Sequence, residues 1–223
     1  MLSRAAAVAA KDLRLSLAGA QGPAQTVLLG LILIFIFSLS RDPGELFPPL
    51  SAAAVFWLAT AFGQVLVFNT LYSLEEGGCR DGLLLSPAPV QAVWLGKAAA
   101  GMALLLACQA VFAPAVVAFL GQRPAGSLVS GLVFILAADW GIVALGSLLG
   151  AISAGRGARE SLLTVVLFPL LTPLLLAAIR LTEGVLSGEP ADTGLWLGMA
   201  LAFDAVFTAA ALALFPSLYS GED

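Results

Sequence analysis

The sequence has no histidine and carries little charge. Without histidine, the chain can build neither a Ser-His-Asp nor a Cys-His catalytic site, and it has no imidazole to bind a metal ion or heme. Charged residues make up 11% of its 223 residues, whereas soluble domains carry about 25%. Because so few charges cannot cover a soluble globule, the sequence predicts an integral membrane protein.

Cysteine is also rare, and the net charge has the wrong sign for nucleic acid. Cys79 and Cys108 form neither a CxxC pair nor a zinc-ligand spacing, so we interpret both as unpaired small residues. The net charge of −4 gives no basic patch, so no nucleic-acid partner is expected. The sequence has no Walker A motif to hold the phosphates of ATP. We therefore expect that the chain is not an enzyme and that a partner subunit hydrolyses any ATP.

Apolar residues are abundant: they make up 60% of the chain and fall in long runs. A helix needs about 20 mostly apolar residues to cross about 30 Å of hydrocarbon. The runs lack the apolar/polar alternation of membrane β-barrels, so the predicted fold class is an all-α membrane protein. Six runs are long enough to be transmembrane helices, at residues 24–39, 50–74, 90–120, 127–152, 162–179 and 195–215.

The distribution of Lys and Arg predicts the orientation of these helices. If the N-terminus is cytoplasmic, seven of the ten basic residues lie inside: Arg4, Lys11, Arg14, Arg80, Lys97, Arg156 and Arg159. An even number of spans then places both termini in the cytoplasm. All connections are short, which predicts one membrane domain over residues 23–223.

Residues 1–22 precede the first span and carry Arg4, Lys11 and Arg14 at helical spacing. Charged residues follow the short Ala-rich stretch at once, which is not typical of a signal peptide. We interpret this segment as an amphipathic helix lying in the cytoplasmic membrane interface. The alternative is a frayed tail with scattered charges.

The connection between spans two and three, residues 75–89, concentrates charge in a chain that has little. Its glycines loosen the backbone, and Pro87 and Pro89 stop a helix before the next span. Charged residues followed by leucines would suit a docking surface with apolar anchors and a polar rim. The alternative is an ordinary charged turn. The predicted docking residues are Tyr72, Glu75, Glu76, Arg80, Asp81, Leu83 and Leu84.

The same loop carries a family resemblance. Residues 74–87 read Leu-Glu-Glu-Gly-Gly-Cys-Arg-Asp-Gly-Leu-Leu-Leu-Ser-Pro, Gly96-Lys97 follow, and residues 11–15 read Lys-Asp-Leu-Arg-Leu. These strings resemble the CcmB family, the heme exporter protein B of cytochrome c maturation. The resemblance implies a type-2 ABC-transporter permease in the bacterial inner membrane. This chain has Tyr72 and Glu75 where some members carry an F-x-x-D sequence.

The resemblance also implies partners and a task. The loop would dock on the ATPase CcmA, which would bind ATP and Mg. Further partners would be the membrane subunits CcmC and CcmD, the heme chaperone CcmE and a second CcmB copy. ATP hydrolysis would drive heme export or the release of heme-loaded CcmE, with heme handled by the complex and no cofactor bound by this subunit. One alternative is a non-transporting scaffold that holds an ATPase beside a heme-handling subunit. Another is a secondary transporter, although no internal repeat is detected.

Five polar residues lie within the apolar runs. A carboxylate near the bilayer centre costs about 2.5–3.5 kcal/mol, so Asp139 and Asp204 should face the bundle, either protonated or hydrogen-bonded. The set could line a substrate path or form a hinge; alternatively, it fixes helix packing. Gly146 and Gly150 form a GxxxG pair that allows another helix to approach closely. The five intramembrane polar residues are Gln64, Asn69, Gln109, Asp139 and Asp204.

Overall fold

The computed structural model describes residues 1–19, 21–40, 47–73, 89–153, 159–189 and 192–220. Within these ranges the regular structure is wholly α-helical, which confirms the predicted fold class. The described residues form seven helices: α1 (Leu2–Gly19), α2 (Gln21–Leu39), α3 (Pro49–Ser73), α4 (Val90–Phe119), α5 (Leu128–Ser153), α6 (Arg159–Ser187) and α7 (Thr193–Ser220).

The predicted number of membrane spans is confirmed, since α2 to α7 are each long and apolar enough to cross a bilayer. Consecutive spans run in opposite directions, so the bundle has two ends. We call the end where α3 stops and α4 starts the loop end, and the opposite one the far end. The candidate spans are Gly22–Leu39, Pro49–Ser73, Val90–Phe119, Leu128–Ile152, Val166–Ser187 and Thr193–Ser217.

The fifth span was predicted to end at residue 179, and this boundary was wrong because α6 continues to Ser187. Two charged residues beyond position 179 are accommodated within the helix, where Arg180 Nη1 lies 3.1 Å from Glu183 Oε2. Thr182 is held as well, because Trp57 Nε1 donates to its Oγ1 at 2.8 Å. The helix ends before Gly188, whose φ of +73° is the left-handed conformation that favours glycine after a helix.

Helix α3 lies at the centre of the bundle and packs against α2, α4, α5 and α6. Helices α2 and α7 are peripheral and expose large apolar side chains, as lipid-facing helices do. Helix α1 packs along α4, and its face of Ala5, Asp12 and Ser16 is buried. Thus a helix covers Leu2–Gly19 of the segment predicted over residues 1–22, whose last two residues belong to α2, while its place in the membrane interface stays a prediction.

Candidate functional site

A stripe of side chains at four-residue spacing runs along α3 and faces α5. It comprises Thr60, Gln64, Phe68 and Tyr72, all buried. A Cβ added at Gly146 would lie 2.9 Å from Phe68 Cδ2, and one at Gly150 would lie 2.6 Å from Tyr72 Cδ2. The two glycines therefore let α5 approach the stripe closely, which confirms the role predicted for the GxxxG pair.

At the loop end, the stripe reaches a buried ion pair between α1 and α4. Lys97 Nζ lies 3.4 Å from Asp12 Oδ2, and both side chains are fully buried. The same ammonium group donates to the Leu71 carbonyl oxygen at 3.1 Å and stands 4.6 Å from the centre of the Tyr72 ring. We call Asp12, Tyr72 and Lys97 the loop-end cluster.

The loop-end cluster connects four helices. Lys97 bonds to α1 and to the end of α3, which suits an ammonium group with three donors. Tyr72 donates its hydroxyl to the Ser147 carbonyl oxygen of α5 at 2.7 Å. Lys11 Nζ, on a partly exposed side chain, lies 2.9 Å from Asp12 Oδ1. Because a buried charge is stable only when it is paired, these contacts fix α1 against the loop ends of α3, α4 and α5.

Replacing Tyr72 with phenylalanine tests the link to α5. We expect the free energy of unfolding to fall by about 1 kcal/mol, since the ring stays and one buried hydrogen bond is lost. Thermal unfolding of the purified chain in detergent measures the change. Phe68→Leu is a poor control because it alters packing, whereas Ser40→Ala removes an exposed hydroxyl and should change little. An equal effect of the two substitutions would contradict the assigned role.

Of the predicted docking residues, Tyr72 is the one that the structure describes. It is buried beneath Lys97, and its part in docking stays a prediction. The remaining six lie outside the described residues: Glu75, Glu76, Arg80, Asp81, Leu83 and Leu84. In the chain, the segment that contains them follows Ser73, next to Tyr72 at the end of α3, and precedes α4, which carries Lys97.

Three of the predicted intramembrane polar residues meet in the middle of the bundle. Gln109 Nε2 donates to Asp139 Oδ1 at 2.7 Å and lies 3.4 Å from Thr60 Oγ1. Gln64 Nε2 donates to the carbonyl oxygen of Ile142, one turn from Asp139 on α5. We call Thr60, Gln64, Gln109 and Asp139 the mid-bundle cluster. Thr60 was missed from the sequence, although its four-residue spacing from Gln64 places both on one helical face.

The other two predicted polar residues lie elsewhere. Asp204 on α7 is 7% exposed and its carboxyl group packs against Gly141, on a different side of α5 from Gln109. Nearby, Trp140 Nε1 donates to Thr208 Oγ1 at 3.0 Å, which also joins α5 to α7. Asn69 is half-buried on α3 and belongs to neither cluster. Thus the five residues do not form one continuous polar path.

These features define a multi-pass, all-α membrane protein of the permease type, with its polar side chains gathered inside the bundle. The described residues include no group of three or more His, Cys, Asp or Glu that could hold a metal ion. The family model described as CcmB protein matches residues 3–218, so the chain belongs to the CcmB family, the membrane component of a heme exporter ABC system. No curated protein gives a significant match to the sequence.

Proposed function

We propose that this chain couples ATP hydrolysis by the partner ATPase CcmA to heme export or to the release of heme-loaded CcmE. The observation that carries the proposal is the loop-end cluster. Residues 74–88 join α3 to α4, and Lys97 ties these two helices to α1. A partner that displaces this loop therefore acts on helices that are already linked.

The contacts suggest how such a displacement would spread. Lys97 holds the Leu71 carbonyl oxygen and Asp12, so the ends of α3 and α4 and the whole of α1 would move together. The hydrogen bond from Tyr72 to Ser147 would pass the movement to α5. The glycine pair on α5 lets the Phe68 and Tyr72 rings of α3 pack directly over this helix, so α3 and α5 would move together.

The proposal includes the assembly and its orientation. Both termini and the loop would face the cytoplasm of a bacterial inner membrane, where CcmA would bind ATP and Mg. CcmC, CcmD, CcmE and a second CcmB copy would complete the complex. Heme would be a substrate of the assembly, since the chain has no histidine to serve as an axial ligand.

A scaffold that docks CcmA without transporting anything is the second candidate. The mid-bundle cluster is closed to solvent, since Thr60 and Asp139 are fully buried and Gln109 is 3% exposed. The lack of an open polar route favours the scaffold. Two cavities of about 370 and 360 Å³ lie toward the far end, and their walls are mainly apolar. Normal ATPase-dependent cytochrome c assembly in Asp139→Ala and Asp204→Ala variants would favour the scaffold over a polar path.

Substitutions in the loop test the docking of the ATPase. We expect Asp81→Ala with Leu84→Ala to reduce co-purification of CcmA at least about tenfold, because interface anchors commonly contribute about 2 kcal/mol each. The measurement is the amount of CcmA retained per membrane subunit after affinity purification.

A matched control replaces an acid and a leucine that are exposed near the far end, Glu189→Ala with Leu195→Ala. This variant should retain CcmA as the unmodified chain does. Equal retention in both variants would show that the loop does not dock the ATPase.

Ion-coupled uptake by the purified chain without CcmA would instead identify a secondary transporter.

A further inference from the structure

Three hydrogen-bond acceptors of the mid-bundle cluster have no donor in the part of the chain that the structure describes. Asp139 Oδ2, Gln109 Oε1 and Gln64 Oε1 are buried, and none has a donor among the described residues. Buried polar atoms in folded proteins nearly always have a hydrogen-bond partner. When two unsatisfied acceptors lie beside each other and one belongs to an ionisable group, a proton on that group supplies the missing donor.

The pairing of Gln109 with Asp139 shows where that donor belongs. Gln109 Nε2 donates to Asp139 Oδ1 at 2.7 Å. The unpaired Asp139 Oδ2 belongs to the same carboxyl group as Oδ1, and the unpaired Gln109 Oε1 belongs to the same amide group as Nε2. With an ionised carboxylate, both of these oxygens are acceptors and cannot bond to each other. A proton on Asp139 Oδ2 turns that atom into a donor for Gln109 Oε1. One proton therefore satisfies two buried atoms.

The conclusion does not depend on how the amide is oriented. The oxygen and nitrogen of a glutamine side chain can be exchanged without changing its shape. In the exchanged orientation, Gln109 Oε1 would face Asp139 Oδ1, and two acceptors would stand at hydrogen-bonding distance. A proton on the carboxyl group is then needed for that contact itself.

Among the side chains that the structure describes, no Lys or Arg donates a hydrogen bond to Asp139 Oδ2 in place of a proton. Lys97, the buried cation of α4, contacts Asp12 at the loop end. Helix α6 carries Arg180 and Glu183 near its far end, where they pair with each other. Among the side chains that the structure describes on the helices packed around α5, the other titratable ones are Asp204 on α7, against Gly141, Cys108 on α4, next to Gln109, and Tyr72 at the loop end of α3. The side chains of Arg159 and Glu160 on α6 and of Tyr219 on α7 lie outside that description.

We propose that Asp139 and Gln109 form a proton-binding site in the middle of the bundle. The bound proton lies on Asp139 Oδ2 and closes a two-hydrogen-bond pair that joins α5 to α4. Loss of the proton leaves a buried carboxylate that keeps the hydrogen bond from Gln109 Nε2 but has no donor for Oδ2, so the site favours separation of α4 and α5 when it is empty. The ligand is a proton, and the site is independent of any docking at the loop.

Infrared spectroscopy of the full chain in lipid nanodiscs tests the site directly. The unmodified chain at neutral pH should show the C=O band of a protonated carboxyl group, and Asp139→Asn should lose the component of that band that belongs to Asp139. Asp204 Oδ1 is also buried without a donor, so Asp204→Asn is the matched control and should retain the Asp139 component. Gln109→Leu should shift the band to higher frequency, because the hydrogen bond that weakens the C=O bond is gone. Absence of the band in the unmodified chain overturns the proposal, whatever the variants do.

Thermal stability against pH gives a second measurement. A group that is held protonated in the folded chain contributes stability at low pH, and this contribution is lost as the pH rises. The melting temperature of the unmodified chain should therefore fall toward high pH. Asparagine has a donor and an acceptor like the protonated acid, so Asp139→Asn should make that fall smaller. A sodium-dependent recovery of stability at high pH would identify a metal cation as the occupant and contradict the proton site.

Discussion

Replacement of Lys97 with methionine is expected to lower the free energy of unfolding by about 3 kcal/mol. The substitution leaves Asp12 fully buried without its partner on α4, and breaking a buried ion pair commonly costs about 3–5 kcal/mol. We expect the lower end of that range because Lys11 Nζ remains 2.9 Å from Asp12 Oδ1. Thermal unfolding in detergent measures the loss, and faster hydrogen exchange across α1 should accompany it.

Two variants separate the ion pair from other causes. Lys11→Met removes a partly exposed lysine beside the same carboxylate and should cost no more than about 1 kcal/mol. Asp12→Leu combined with Lys97→Met replaces both charges by apolar groups and should recover most of the lost stability. If Lys97→Met is no worse than Lys11→Met, the ion pair does not hold α1 to the bundle.

The number of spans could be predicted from the sequence because hydropathy is a local property. Each apolar run specifies its own helix, whatever lies beside it. The end of α6 could not be predicted in this way. Arg180 and Glu183 lower the local hydropathy, but their pairing within the helix makes the charges acceptable. The error therefore arose where a side-chain contact determined the outcome.

The sequence could predict several residues of the candidate site, but it could not predict which of them contact each other. Gln109 and Asp139 are conspicuous because such side chains are rare in apolar runs, and the structure joins them. The one signal for Thr60 was its four-residue spacing from Gln64, which is weak because threonine is common in membrane helices. Asp12 and Lys97 are 85 positions apart, and the charge distribution predicted only that Lys97 lies toward the cytoplasmic side. Their burial depends on how α1 packs against α4, which no local pattern encodes.

Replacement of Gly96 with alanine should separate α1 from α4 without changing any charge. The added Cβ would lie 2.7 Å from the backbone oxygen of Ala5 and 2.7 Å from Val8 Cβ. A backbone oxygen cannot rotate away as a side chain does, so α1 itself must move. Overpacking of this kind costs about 1–3 kcal/mol. The higher helix propensity of alanine, about 1 kcal/mol, offsets part of that cost.

Gly198→Ala is the matched control, because it adds the same methyl group to a membrane helix with nothing within 4 Å. We expect Gly198→Ala to leave unfolding and hydrogen exchange of α1 unchanged, while Gly96→Ala destabilises the chain and exposes α1. Movement of α1 also weakens the ion pair between Asp12 and Lys97, so Gly96→Ala and Lys97→Met should be less than additive. If the losses of stability in Gly96→Ala and Lys97→Met were fully additive, close packing and the ion pair would hold α1 to α4 independently of each other.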